Sequence, residues 1–263
     1  RRVRRGRLIV AAVSVAGMLA AQAAQACTSF LLRAADGSPV YGRTMEMGFD
    51  LQAQVVVVPR RMAFTGTAAG GRSGLAWTTS YAVVGMGSFG TSYLSDGLNE
   101  KGLAGGILYF PGYVGYADPA RADPAKTLSP WEVLVYALSR FATVAEVKAA
   151  IGDIAIVAQT MPQLGVVPPF HYTFHDASGA SLVVEPVGGI LKDYDNPLGV
   201  LTNSPPFEWH MANLRNYVKI SPVNAPPLAL DGVVIEPIGQ GSGACAMSLV
   251  RDLFAKGREQ GEQ

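Results

Sequence analysis

Short apolar runs broken by turn residues fill the first half of the chain and predict strands. Residues 28–33 (TSFLLR) and 38–44 (SPVYGRT) flank ADG, a turn signal, so they predict a hairpin. Residues 53–58 (AQVVVV) form a strand closed by Pro59, with further strand-like runs at 80–85 and 103–110. The pattern changes after Leu128. Ser129-Pro130-Trp131-Glu132 has the form of a capping box, with proline suited to a first helical turn, and an amphipathic run follows to about Phe141. Residues 143–151 (TVAEVKAAI) predict a second helix, 170–174 and 181–186 another hairpin across HDASGA, and 199–202 a short strand ending at Asn203. Strand blocks on either side of a helical block predict an α+β fold.

The extreme N-terminus does not belong to this pattern. RRVRRGR at 1–7 precedes a small, apolar run at 8–21 that is too short to span a bilayer, and Ala24-Gln25-Ala26 supplies an A-x-A cleavage site. These are the parts of a secretory signal over residues 1–26, with residues 27–263 as one domain. Cleavage would make Cys27 the N-terminal residue and place the mature protein in the periplasm or outside the cell. The signal takes five arginines and no acid from a chain with 21 basic and 20 acidic residues, which leaves a formal charge of −4. That charge offers no basic footprint for nucleic acid. With only Cys27 and Cys245 there is no disulfide framework, and no later segment predicts stable membrane association.

A cysteine exposed at an N-terminus carries both a thiol and an α-amino group. The amine, whose reference pKa is about 7.7–8.0, is able to accept the thiol proton near neutrality and later return a proton to a leaving nitrogen. Nucleophile and base would thus share one residue. Two other readings of Cys27 stand beside this one: a lipid-modified anchor, disfavoured because Ala24 occupies a position where leucine is preferred, and a buried structural thiol.

Three blocks bear on that choice. CTSFLLRAADGSPVYGRTMEMG at 27–48, DGLNEKGLAGGILYFPGY at 96–113 and DNPLGVLTNSPPFEWHMANLRNY at 195–217 resemble the choloylglycine hydrolase family, which includes bile salt hydrolases and penicillin V acylases. The resemblance covers most of 27–243. It implies the four-layer αββα sandwich of N-terminal nucleophile hydrolases and hydrolysis of linear carbon–nitrogen amides. It also implies Cys27 as nucleophile and Arg43 as the cation near its thiol. Glu46 stands where the family usually has an aspartate that holds the α-amino group. Asn203 matches the side-chain donor to the oxyanion, and Tyr109 the backbone N–H donor of the same hole, its side chain lining the substrate pocket. Tyrosine at 109 looks more like penicillin V acylases than bile salt hydrolases. The implied substrates are conjugated bile salts, penicillin V or N-acyl homoserine lactones, with no cofactor and a tetrameric assembly. Taken singly, the same residues also read as an Arg43–Glu46 salt bridge, a turn asparagine before Pro205 and a core tyrosine.

Other signals are weaker. His171 and His175, four apart on a strand, would face one side, but no third ligand motif accompanies them. No GxSxG elbow is present, and GQGSG at 239–243 lacks the lysine of a phosphate loop. After 243 the chain departs from the family pattern, reading ACAMSLVRDLFAKGREQGEQ, and the arginine expected in an S-x-R-F segment has no equivalent assigned to Arg251. An altered C-terminus leaves a second reading: a non-catalytic remnant that binds acyl ligands.

Overall fold

The computed structural model describes residues 27–217, 228–230 and 232–235. The signal segment 1–26, GQGSG, Cys245 and Arg251 lie outside the described residues.

The first hairpin forms as its turn chemistry predicts. Strand β1 (Cys27–Arg33) and β2 (Pro39–Met45) pair in antiparallel register from Cys27↔Met45 to Arg33↔Pro39. Gly37 takes φ +83 in the turn, where the Asp36 carboxylate accepts the Ser38 backbone N–H at 2.9 Å.

Seven strands make the larger sheet: β3 (Gln54–Val58), β6 (Val83–Gly87), β7 (Leu94–Asn99), β8 (Ala104–Tyr109), β11 (Phe170–His175), β12 (Ser181–Val187) and β13 (Ile190–Asp195). Their spatial order is β13-β12-β11-β8-β7-β6-β3, antiparallel throughout. A small hairpin of β4 (Ala63–Thr67) and β5 (Ser73–Thr78) and a parallel pair of β9 (Thr127–Leu128) with β10 (Ala155–Ile156) stand beside it. Strand β14 (Val200–Thr202) joins the opposite edge of β1, so β1 is central in a three-stranded sheet of order β14-β1-β2.

The larger sheet is a strand layer with two different faces, because side chains alternate along each strand. Helices α1 (Val133–Arg140) and α2 (Val144–Ala150) cover one face. There Leu134 and Leu138 pack in one core with Ile107, Tyr172, Phe174, Leu182 and Val184. On the other face Leu108 and Val183 meet Cys27 and Leu201 of the smaller sheet, together with Phe207 of α3 (Phe207–Leu214). The layers run helix, sheet, sheet, as in the inner part of an αββα sandwich. A final short hairpin joins β15 (Leu228–Leu230) to β16 (Val233–Ile235).

The predicted first helix starts later than the capping pattern suggested, at Val133. Glu132 does reach back to the Ser129 N–H at 2.7 Å, but its carboxylate also accepts the Thr67 backbone N–H at 2.9 Å and the Thr67 hydroxyl at 2.7 Å. This buried acid therefore ties the helix start to β4. The second helix begins as predicted, with Thr143 Oγ1 accepting the Glu146 N–H at 3.2 Å.

Candidate active site

Strand register brings the proposed nucleophile and the arginine together. Ser29 pairs with Arg43 and Cys27 with Met45, so Cys27 and Arg43 are diagonal neighbours on one face of the β1–β2 ribbon. That face looks toward the larger sheet. On the far edge of β1, Thr28 pairs with Thr202, which brings the following residue, Asn203, level with Cys27. The Thr202 hydroxyl fixes this end by donating to the Cys27 carbonyl at 3.0 Å.

Cys27 is buried and lines a cavity of about 290 Å3 with Arg43 and Tyr109. The walls are almost wholly apolar: Phe49, Phe89, Tyr93, Trp131 and Phe170 supply rings, and Met45, Met47 and Met161 supply flexible thioethers. Besides Cys27, polar side chains in the lining include Arg43 and the pair Ser88 and Ser95, whose hydroxyls are 2.6 Å apart. Such a space takes an apolar group and holds it against one thiol and one cation.

The Arg43 guanidinium is held in place by groups from the larger sheet. Its Nη1 donates to the Ile107 carbonyl at 2.6 Å, to both Asp96 carboxylate oxygens at 3.2 Å and to the Ser95 carbonyl at 3.3 Å. The Tyr41 hydroxyl also donates to Asp96 at 2.8 Å. Burial pushes the Asp96 pKa up, against the opposing pull of the Arg43 charge and the Tyr41 hydrogen bond. The Tyr41 phenol is pushed far up, first by burial and then by the Asp96 charge, so it remains a donor. Gly106 makes room for this cluster: a Cβ there would fall 2.3 Å from the Tyr41 hydroxyl and 2.6 Å from Asp96 Oδ1.

Arg43 therefore pairs with Asp96, and the salt bridge to Glu46 that the sequence also allowed is not formed. Glu46 follows β2 with the opposite parity to the inward face, is exposed, and does not line the cavity. Asp96 is the site residue that sequence reasoning passed over, although the block at 96–113 begins with it.

Asn203 and Tyr109 sit on two segments that are tied to each other. Tyr109 pairs with Phe170 at the end of β8, the next residue, Phe110, donates its N–H to the Pro169 carbonyl at 2.7 Å, and Ser204 Oγ donates to the Pro111 carbonyl at 2.6 Å. His210 Nε2 lies 3.2 Å from the Asn203 carbonyl. His171 and His175 do share a face of β11, but His171 is bonded to Glu185, while His175 packs against Tyr41 with ring centroids 4.9 Å apart and planes tilted by 31°. No group of residues that could hold a metal ion is found among the described residues.

The sequence profile for linear amide C–N hydrolases of the choloylglycine hydrolase family matches residues 27–252. The chain belongs to the choloylglycine hydrolase family. It is 36% identical to the bile salt hydrolase/transferase of Clostridium perfringens over 221 residues, covering 82% of this chain and 65% of that one. Among solved structures, a variant of conjugated bile acid hydrolase from Clostridium perfringens superposes with a TM-score of 0.68 at 33% identity, over 82% of this chain and 65% of that one. Penicillin V acylase from Agrobacterium tumefaciens gives a TM-score of 0.63 at 29% identity, over 74% of this chain and 58% of that one. The chain thus spans a little under two thirds of these relatives, with the N-terminal nucleophile hydrolase fold that the sequence predicted. The family match begins on Cys27 itself.

Proposed function

We propose that this protein is an exported amidase that hydrolyses linear carbon–nitrogen amides with Cys27, once freed by removal of residues 1–26, as N-terminal nucleophile. The observation that carries this reading is a buried cysteine at the first position of the family match, facing an apolar cavity with a fixed arginine diagonal to it.

The chemistry runs in two halves. The α-amino group of Cys27 takes the thiol proton, and Arg43 favours the thiolate by its charge. Sulfur attacks the amide carbonyl carbon, and the carbonyl π pair becomes an oxyanion that accepts hydrogen bonds from the Asn203 side chain and the Tyr109 backbone N–H. As the C–N bond breaks, the α-ammonium protonates the leaving nitrogen, so that a neutral amine departs and a thioester remains. Water then attacks the thioester, its proton passing to the amine, and the acid leaves with the thiolate regenerated. Glu46, by its sequence position, is the carboxylate proposed to orient the α-ammonium.

The cavity walls favour an apolar acyl group with the amine portion outside. The relatives include conjugated bile acid hydrolases of Lactobacillus and a penicillin V acylase of Pectobacterium atrosepticum, so conjugated bile salts and penicillin V are the first amides to test, followed by N-acyl homoserine lactones. Amine release by the processed protein, abolished in Cys27→Ser, is the expected result. Ligand-dependent thermal stabilisation without any product from the panel would instead mean that the cavity binds acyl groups and does not turn them over.

A further inference from the structure

The larger sheet buries an ionisable pair for which the chemistry above has no use. His171 on β11 and Glu185 on β12 are both fully shielded from solvent, with His171 Nδ1 3.2 Å from Glu185 Oε1. Burying a carboxylate and an imidazole is costly unless hydrogen bonds hold them, so the contacts they make are informative. Glu185 Oε1 also accepts the backbone N–H of Phe207 at 3.0 Å, the first residue of α3, four residues beyond Asn203. The His171 ring lies flat on Phe110, centroids 4.5 Å apart and planes 6° apart, and Phe110 directly follows Tyr109. One pair thus grips the chain just after each of the two proposed oxyanion donors.

We infer that His171 and Glu185 are positioning residues that set the distance between the Asn203 and Tyr109 donors across the place where the substrate carbonyl meets the Cys27 sulfur. This rests on the amidase reading above. Burial pushes the His171 pKa down, opposed by Glu185 and by the Thr202 backbone. A neutral imidazole donating from Nδ1 to the carboxylate fits that balance. Neither residue lines the cavity, so their effect passes through the backbone at 109–110 and 203–207.

The test separates nucleophile from oxyanion hole. The processed wild type and the volume-conserving double variant His171→Phe/Glu185→Leu are compared in two assays: steady-state amide hydrolysis and the rate of Cys27 alkylation by iodoacetamide, which needs the thiolate and no oxyanion donor. A displaced donor predicts kcat lower by about tenfold or more with KM within about threefold, and alkylation within about twofold of wild type. Glu185→Gln, which keeps a carbonyl acceptor for Phe207, is expected to recover most of that loss. If the double variant does not fold, His171→Gln, which keeps an N–H donor for Glu185 and removes the ring stack on Phe110, carries the same prediction. Wild-type kcat in a folded variant, or alkylation falling in step with kcat, overturns the positioning role. A wild type that is alkylated normally but hydrolyses no amide in the panel overturns the amidase reading first, and this inference with it.

Discussion

The face of the seven-stranded sheet opposite the helices has two halves with opposite characters. Over β8, β11 and β12, and at Asp96 on the adjoining β7, it lies under β1, β2 and β14, and there Leu108 and Val183 are shielded against Cys27 and Leu201 while Asp96, Glu185 and His171 meet partners. Over β3, β6 and β7 the same face presents Val55, Val57, Val84, Met86 and Leu98, with Val57 68% exposed. Both halves come from strands with the same alternation of side chains. Among the described residues the difference lies in what covers them: over the covered half the second sheet brings Arg43 and Tyr41 to Asp96, and α3 brings the Phe207 N–H to Glu185. Over the other half the described residues bring no such partners to the apolar side chains.

Substitutions spread across that divide sharpen the contrast. Cys27→Ser is expected to lower turnover by at least about 10³-fold, with an unchanged circular dichroism spectrum and melting temperature. On stability, Leu108→Ala beneath β1 is expected to cost about 2–5 kcal/mol in denaturant melts, because a fully buried side chain leaves a cavity between the two sheets. Asp96→Asn removes the charge that holds Arg43 and should reduce kcat about 10–100-fold, equivalent to about 1–3 kcal/mol of lost charge-assisted bonding. Loss confined to KM would show that Arg43 binds substrate without acting on the thiol.

At the boundary of the halves stands His175, buried against Tyr41, whose burial lowers its pKa to about 4 against the opposing Asp176 charge. The unfolded chain takes a proton there near pH 6.5 and the folded chain only near 4, so falling pH across that window favours unfolding. Melting temperature should drop over that range, by the equivalent of about 1–3 kcal/mol, and His175→Gln should flatten the slope. The smallest effect is expected on the bare half, where Val57→Thr should change stability by less than about 0.5 kcal/mol.

Legibility in the sequence followed how local the cause was. The β1–β2 and β11–β12 hairpins were readable because their turns lie between the strands that they join, and Thr143 was readable as a cap because its partner is three residues away. β4 and β5 are short and each contains a glycine, and with only Phe64, Leu75 and Trp77 as large apolar residues they give too little alternation to predict strands. Cys27, Arg43, Tyr109 and Asn203 were found through motifs, and Cys27, Arg43 and Tyr109 line one cavity. Asp96 was not singled out, because its bond to Arg43 spans 53 residues and forms only when one sheet packs on the other. Glu185 is hidden for the same reason, and His171 reads in the sequence only as half of a weak metal-ligand pair with His175, because Phe207 and Phe110 reach the two residues only in the folded chain.

The most direct test is to mix the processed protein with penicillin V or a conjugated bile salt, quench in acid within the first turnovers, and map the peptides by mass. The proposed mechanism predicts the acyl mass as a thioester on a peptide whose first residue is Cys27. Product formation with Cys27 unmodified, or with residue 26 still attached to it, would contradict the N-terminal nucleophile.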